Sequence, residues 1–340
     1  MSGSQKRASI LGARSPSCAF RPLPKKRPPA RMSANPPPAD AAAPAAADAS
    51  PRVSPMLVLW IGVLSLSTGS ILVRWCESPP LVTAAWRMTV AAVVVLPFLL
   101  GRAGAEVAAL SRRELGAGML SGALLALHFA TWISSLSLTS VAASTVLVNT
   151  APVWVALCSP WLTGDRTSWS GWIGIGSSLI GGVVIGLGDF SGHPAALRGD
   201  ALALAGGAAL SLYLVSGRRL RTRMSLPAYL AICYSTAAVL LWVCVLCAGQ
   251  ACVGFSGRTW AALIWMGVVN QHLGQSSYNW AMRYLSAGVV SVCLLGEPLV
   301  GSLLAWWLFG EALSWAKAGG GFLILVGVYL AGKSKQSAAS

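Results

Sequence analysis

Apolar residues run along most of the chain in stretches of about twenty, and short polar segments separate these stretches. A membrane-spanning α-helix needs about 20 predominantly apolar residues. From Met56 onward the pattern predicts ten such helices, at about 56–75, 80–100, 115–136, 139–163, 168–187, 199–217, 227–248, 259–281, 284–309 and 314–331. We therefore predict an all-α membrane protein, with tails at residues 1–55 and 332–340.

The composition agrees with a membrane protein and argues against nucleic acid as a partner. Of the 340 residues, 55% are hydrophobic and 10% are charged, whereas an average soluble domain has about 25% charged residues. The net charge is +15, but nine of the 25 Lys and Arg residues lie before residue 53. Most of the others lie in short loops, which is typical of orienting charges in a membrane protein. The lipid bilayer is therefore the predicted partner.

The loop charges also predict an orientation. With the N-terminus inside, 20 Lys and Arg residues fall on the inner side and four on the outer side. This bias favours a plasma membrane protein with both termini in the cytoplasm. The Pro/Ala-rich segment 1–55 is expected to be disordered and lacks the apolar core of a secretory signal. We favour a cytoplasmic tail, with a plastid or other organelle transit peptide as the alternative.

The two halves of the chain repeat one another. At a constant offset of 146 residues, identical or chemically similar residues match without a gap: Ser140 with Ser286, Pro152 with Pro298, Trp161 with Trp307, Gly164 with Gly310, Asp165 with Glu311, Ser168 with Ser314, Trp169 with Trp315, Gly174 with Gly320 and Gly181 with Gly327. Each repeat holds five helices, at about 56–187 and 199–331. Because five is odd, the second repeat enters the membrane from the opposite side. Inverted repeats of this kind are typical of alternating-access transporters.

The sequence also resembles a known family. The segments "GSILVRWCESPPLVTAAWRMTVAAVVV" and "GEPLVGSLLAWWLFGEALSW" resemble the opening and closing helices of the drug/metabolite transporter superfamily, in its twin EamA-domain branch. The resemblance covers about residues 56–331. It implies a permease for small polar or amphipathic metabolites, amino-acid-like compounds among them, that works by export. It leaves the substrate and the coupling ion open.

Charged and helix-bending residues occur inside the predicted spans. Glu297 and Pro298 lie side by side near the start of the ninth helix, and Arg87 lies in the second. A charge at the bilayer centre costs about 2.5–3.5 kcal/mol or more, so it is expected to be paired, protonated or hydrated. Glu297 is either a structural partner of Arg87 or a proton or cation site. Pro298 and its repeat counterpart Pro152 are predicted to bend their helices.

Polar residues fall on one face of the eighth helix and one face of the third. Gln271, Gln275, Tyr278 and Asn279 have the spacing of one α-helical face, as do His128 and Trp132 in the third helix. Such groups lack partners in lipid, so they are expected to face the bundle interior. They line a substrate cavity or form hydrogen bonds between helices. Ser67, Ser70 and Asn149 are further candidates for the cavity.

A membrane-embedded enzyme is the main rival class. The segment "GLGD" at 186–189 has the shape of an intramembrane aspartyl protease motif, but that chemistry needs two aspartates that share a proton. The spans contain no second aspartate, so we predict no enzyme. We also predict no cofactor and no metal, and neither a monomer nor a homo-oligomer is favoured.

Overall fold

All regular structure of the protein is helical within the ranges that the computed structural model describes, which are residues 53–139, 141–186, 194–309 and 315–333. The first half contains α1 (Pro55–Ser67), α2 (Gly69–Trp75), α3 (Pro80–Val95), α4 (Arg102–Ala109), α5 (Arg112–Ser135), α6 (Val141–Val148), α7 (Ala151–Leu162) and α8 (Trp169–Gly186). The second contains α9 (Pro194–Arg221), α10 (Leu226–Cys247), α11 (Gly257–Trp265), a π-helix (Met266–Gln275), α12 (Ser276–Ala281), α13 (Ala287–Leu294), α14 (Gly296–Phe309) and α15 (Trp315–Lys333).

These helices form ten membrane spans, and the predicted fold class is confirmed. Five spans are single stretches long and apolar enough to cross a membrane, namely Pro55–Val73, Pro80–Leu100, Arg112–Ser135, Ala196–Arg221 and Leu226–Cys247. The fifth and tenth spans are the single helices α8 and α15, and the fourth, eighth and ninth consist of shorter helices in series. Among the described residues, α4 is a separate short helix between the second and third spans.

Serine caps begin several spans. The Ser111 hydroxyl accepts a hydrogen bond from the Glu114 N–H, while the Glu114 carboxylate accepts from the Ser111 N–H. Ser256 and Ser286 cap α11 and α13 in the same way, without the reciprocal carboxylate. A serine cap satisfies one of the free N–H groups at a helix start and contributes about 1 kcal/mol.

Several spans are interrupted inside the membrane. The first breaks at Thr68, the fourth between α6 and α7 beside Pro152, and the ninth at Leu295, just before Glu297 and Pro298. Proline has no backbone N–H and crowds the preceding turn, which explains why two of the interruptions lie where they do. The side chain of Pro298 lies outside what the structure describes.

Packing follows the repeat. The third span, α5, packs against the sixth span, α9. In the counterpart pair, the eighth span, here the π-helix and α12, packs against the first span, α1. Helix α8 packs against its own counterpart α15. There the Ser177 hydroxyl donates to the carbonyl of Leu323, at 2.9 Å, and these two residues are related by the 146-residue offset. The two spans therefore cross at the pseudo-two-fold axis of the molecule.

A second pair of hydrogen bonds repeats the same symmetry beside the prolines. The Ser211 hydroxyl donates to the carbonyl of Ala151, at 2.9 Å, and the Ser67 hydroxyl donates to the carbonyl of Glu297, at 3.4 Å. Ala151 and Glu297 precede Pro152 and Pro298. The first span of each repeat thus supports the broken span of the other repeat at the same place.

Apolar side chains cover the outside of the bundle. The exposed large hydrophobic residues include Leu57, Leu64, Phe98, Leu120, Ile180, Val239, Phe322 and Tyr329. A soluble protein rarely exposes a continuous apolar surface of this extent. The outer surface is therefore suited to lipid, while the polar side chains discussed next lie inside.

Candidate functional site

Arg87 lies in α3 with 1% of its surface exposed. Its Nε donates to Oε1 of Gln271, at 3.0 Å, and its guanidinium carbon lies 4.3 Å from the ring centre of Phe129. Arginine stays charged in proteins, and a cation over an aromatic ring is stabilised by about 2 kcal/mol when desolvated. Arg87 forms no ion pair with any residue that the structure describes. The expected partnership with Glu297 is therefore not a direct contact.

Glu297 is partly buried, and its contacts are with the first and eighth spans. The Tyr278 hydroxyl donates to its Oε1, at 3.3 Å. Glu297 is close enough to Arg87 for mutual electrostatic attraction. The acid and the arginine thus sit in one electrostatic neighbourhood, with separate hydrogen-bond partners.

The polar stretch of the eighth span coincides with the π-helix. Gln271 is fully buried and Gln275 is 4% exposed. The hydroxyl of Tyr234, from α10, donates to the carbonyl of Gln271, at 3.2 Å, and lies 3.0 Å from the hydroxyl of Ser276. π-Helices are rare in proteins, and those that occur are often found at functional sites. Here it widens the span where the polar side chains face the interior.

Asn279 makes a bond between helices. The hydroxyl of Tyr213, in α9, donates to Oδ1 of Asn279, at 2.9 Å, and both residues are fully buried. The backbone carbonyl of Asn279 also accepts from Nε of Arg221, at 3.2 Å. Asn279 therefore has its hydrogen bonds satisfied by the protein itself, unlike the two glutamines on the same span.

His128 and Trp132 lie in the third span and stack on one another. Their rings are 5.9 Å apart and nearly parallel. Nδ1 of His128 lies 3.0 Å from the carbonyl of Gly206, and since a carbonyl only accepts, this nitrogen carries the proton. The Trp132 ring also lies 6.4 Å from that of Phe129. The Phe129 ring thus lies against the Arg87 guanidinium, and the His128 and Trp132 rings pack around Phe129.

Several buried polar atoms have no hydrogen-bond partner in the part of the chain that is described. Four of them are N–H donors of predicted site residues: Nη2 of Arg87, Nε1 of Trp132, Nε2 of Gln271 and Nε2 of Gln275. A buried donor without a partner costs about 1–3 kcal/mol, so most buried polar groups in proteins are paired. These four donors lie on the second, third and eighth spans and are the candidate groups for binding a solute.

The remaining predicted site residues are used differently or are not described. Ser67 is buried, and its hydroxyl donates the hydrogen bond to the carbonyl of Glu297 described above. Asn149 is buried at the interruption of the fourth span. The side chain of Ser70 and the aspartate of the GLGD segment lie outside the described residues.

Asn270, Tyr213 and Tyr234 are polar residues of the site region that sequence reasoning missed. Nδ2 of Asn270 donates to the carbonyl of Ser65, at 2.9 Å, and to the hydroxyl of Thr68, and so supports the break in the first span. Asn270 is adjacent to Gln271 in the sequence, but an α-helical spacing puts it off the selected face. The two tyrosines lie in strongly apolar runs and give no pattern.

A separate polar cluster lies at the side of the bundle that the loop charges assign to the cytoplasm. Nε of Arg218 pairs with Oδ2 of Asp165, at 3.1 Å. Nη1 of Arg218 donates to the carbonyls of Met282 and Leu285, at 2.7 and 2.8 Å. A cavity of about 390 Å³ adjoins it, lined in part by Asp165, Arg218 and Thr222. One side chain therefore connects the sixth span to the loops after the fourth and eighth spans.

Known proteins share this architecture. The family model described as EamA-like transporter family matches the chain twice, at residues 53–187 and 197–332. The chain belongs to the EamA-like transporter family. An uncharacterized transporter of Archaeoglobus fulgidus is 24% identical over 276 residues, which cover 80% of this chain and 93% of that one.

Two further similarities agree with the EamA assignment. YdzE of Bacillus subtilis, which is named a permease-like protein, is 34% identical over 73 residues, or 22% of this chain and 94% of YdzE. A solved crystal structure superimposes with a TM-score of 0.70 at 23% identity and covers 84% of this chain and 99% of that one. That likeness shows the fold. The chain is thus a multi-pass membrane protein of a transporter family rather than an enzyme family.

Proposed function

We propose that this EamA-family protein is a carrier that moves small polar or amphipathic metabolites, amino-acid-like compounds among them, across the plasma membrane. The observation that carries the proposal is the cluster of unpaired N–H donors on Arg87, Trp132, Gln271 and Gln275. It lies within a bundle whose two halves are related by symmetry. Binding sites at the interface of inverted repeats are typical of secondary transporters.

Alternating access is the proposed mechanism. The two repeats rock about the crossing of α8 and α15, so that the central cluster faces one side of the membrane and then the other. Opening toward the cytoplasm requires that Arg218 release Asp165 or the carbonyls of Met282 and Leu285. The three interactions are partly exposed to water, so their loss is readily offset by hydration.

The direction is proposed to be export, with both termini in the cytoplasm. The direction follows from the family resemblance, and the orientation follows from the charge bias of the loops. Three properties distinguish a carrier from a channel: its flux saturates, its substrates compete with one another, and its flux depends on the intact cluster of donors.

The test is a comparison of the metabolites that accumulate outside cells with and without the protein. We expect a defined set of small polar metabolites to be enriched in the medium of producing cells. A matched strain carries Arg87→Ala at the same amount of folded protein, and its enrichment is expected to fall strongly. Identical media for all strains, with the wild-type protein folded and in the membrane, would contradict export.

A further inference from the structure

We propose that Arg87, Gln271, Gln275 and Trp132 form a subsite for the carboxylate group of a small organic acid. The proposal rests on the proposed carrier function and names the chemical class of its substrate. It depends on which buried polar groups lack hydrogen-bond partners, where these groups lie, and what kind of ligand atom could form hydrogen bonds with them.

The unpaired side-chain atoms of these four residues are all donors, and the neighbouring Asn270 adds one unpaired acceptor, its Oδ1. The donors are Nη2 of Arg87, Nε2 of Gln271, Nε2 of Gln275 and Nε1 of Trp132. Arg87, Gln271 and Gln275 are 1%, 0% and 4% exposed, so water in bulk does not reach them. A ligand that satisfies them must present several acceptor atoms, and a carboxylate offers two oxygens with about four acceptor positions.

Contacts link Gln271 to Arg87 and, through Phe129, to Trp132, while Gln275 is connected by its place on the same helix as Gln271. Arg87 bonds to Gln271 at 3.0 Å and lies 4.3 Å over the ring of Phe129. The ring of Phe129 lies 6.4 Å from that of Trp132. Gln271 and Gln275 are four residues apart on the π-helix, where about one turn separates them. The second, third and eighth spans therefore contribute donors to a common region.

The charge of the region favours an anion. Arg87 has no acid in ion-pair contact among the described residues, and Glu297 and the Tyr234 hydroxyl attract it from farther away. The guanidinium group matches the geometry of a carboxylate and binds it with two parallel hydrogen bonds. One arginine partly balanced by Glu297 leaves at most one positive charge, which favours a single carboxylate over a doubly charged phosphate.

The surroundings favour an organic acid with a carbon body. His128, Phe129 and Trp132 place three aromatic rings beside the donors. Binding pockets for small molecules combine apolar and aromatic walls with a few polar groups that fix orientation. The carboxylate would lie on the donors, and the rest of the molecule along the rings.

Gln275 gives the sharpest test because its Nε2 is buried and has no hydrogen-bond partner within the described structure. Gln275→Met keeps the approximate size and removes the unpaired donor, so the ligand-free protein is expected to keep or gain stability. Trp132→Phe removes the other uncharged donor that has no role in the fold's hydrogen bonding. The matched control is Ser159→Ala, which removes an unpaired buried hydroxyl from α7, outside the subsite.

The measurement is ligand binding to the purified full-length protein, followed by thermal shift and by equilibrium dialysis. The probes are the twenty standard amino acids, lactate, benzoate and phenylacetate, each beside its carboxamide. At least one acid is expected to bind at least tenfold more tightly than its carboxamide. Gln275→Met and Trp132→Phe are each expected to weaken that binding about 10- to 100-fold, since hydrogen bonds to charged groups are strong. Ser159→Ala leaves the binding unchanged.

Two results would overturn the subsite. One is a panel in which no acid binds more tightly than its carboxamide, and the other is unchanged acid binding in both donor variants. Flux through proteoliposomes separates this outcome from failure of the carrier function. Acid binding that depends on the donors, without any flux, would support the subsite and contradict the carrier function. Saturable flux of neutral amides that is the same in the wild type and both variants would support the carrier function and contradict the subsite.

Discussion

The crossing of α8 and α15 makes a quantitative prediction about two glycines. A Cβ atom at Gly181 would meet the carbonyl oxygen of Gly320, and one at Gly327 would meet the carbonyl oxygen of Gly174 and the hydroxyl of Ser178. Each position has a backbone carbonyl among its obstacles, so the two spans must separate to admit a methyl group. At the adjacent Gly182 nothing lies within 4 Å of a new Cβ, which makes it the matched control.

The magnitude follows from the difference between the variants. Gly181→Ala and Gly182→Ala share the gain in helix propensity, about 1 kcal/mol, which cancels in the comparison. The overpacking cost remains, and it is typically about 1–3 kcal/mol. We expect Gly181→Ala and Gly327→Ala each to be less stable than Gly182→Ala by that amount.

The assay is reversible unfolding of the purified protein in mixed micelles, monitored by tryptophan fluorescence. Each variant is compared with the wild type in the same detergent. Equal stability of all three variants would show that α8 and α15 do not cross at these glycines, and the proposed pivot of the two repeats would be wrong.

Three further predictions concern the orientation, the Asp165–Arg218 cluster and the partly buried Glu297. In a background without native cysteines, Val253→Cys is expected to react with impermeant maleimide from outside the cell and Thr222→Cys is not; the reverse pattern would invert the topology. With a cysteine placed at position 275 in the same background, Arg218→Ala is expected to increase maleimide labelling of that cysteine from the side of the membrane where Arg218 lies. Arg219→Ala, at an exposed neighbour, serves as the control, and equal labelling would exclude a closing role. Glu297→Gln is expected to lower the free energy of unfolding by about 1–2 kcal/mol, because it weakens the Tyr278 hydrogen bond without breaking an ion pair. In an unfolding titration, a loss of about 3–5 kcal/mol that Arg87→Gln rescues would indicate a direct ion pair instead.

The spans and the repeat could be predicted from the sequence because both depend on local, additive signals. Apolar length predicts a membrane helix wherever it occurs. The matches at one constant offset, such as Pro152 with Pro298, need no knowledge of contacts. The structure then gives the offset a physical meaning, since Ser177 bonds to the carbonyl of its own counterpart, Leu323.

The interior of the eighth span could not be predicted in the same way. An α-helical period was assumed there, whereas residues 266–275 form a π-helix. A signal was present: 21 positions separate Ser111 from Trp132, but 24 separate their counterparts Ser256 and Trp280. The wider turns of a π-helix absorb extra residues within a span of fixed length.

The partition of the polar residues depends on contacts between distant segments. Asn279 and Gln275 look equivalent on one predicted face, yet the Tyr213 hydroxyl bonds to the Asn279 side chain and no described residue bonds to Nε2 of Gln275. Tyr213 is 66 residues from Asn279, and nothing in its apolar run identifies the pairing. Sequence periodicity therefore predicted the polar set, and only the structure separated the satisfied members from the unsatisfied ones.

Solute counterflow in proteoliposomes tests the central proposal, a carrier with alternating access to one central site, most directly. Vesicles are loaded with a concentrated mixture of the twenty amino acids and diluted into buffer that contains a trace of the same mixture in radiolabelled form. A carrier exchanges internal for external solute, so we predict a transient accumulation of label above equilibrium that is reduced in Gln275→Met and unchanged in Ser159→Ala. Label that only equilibrates with the outside, or that accumulates no more than in protein-free vesicles, would contradict the account.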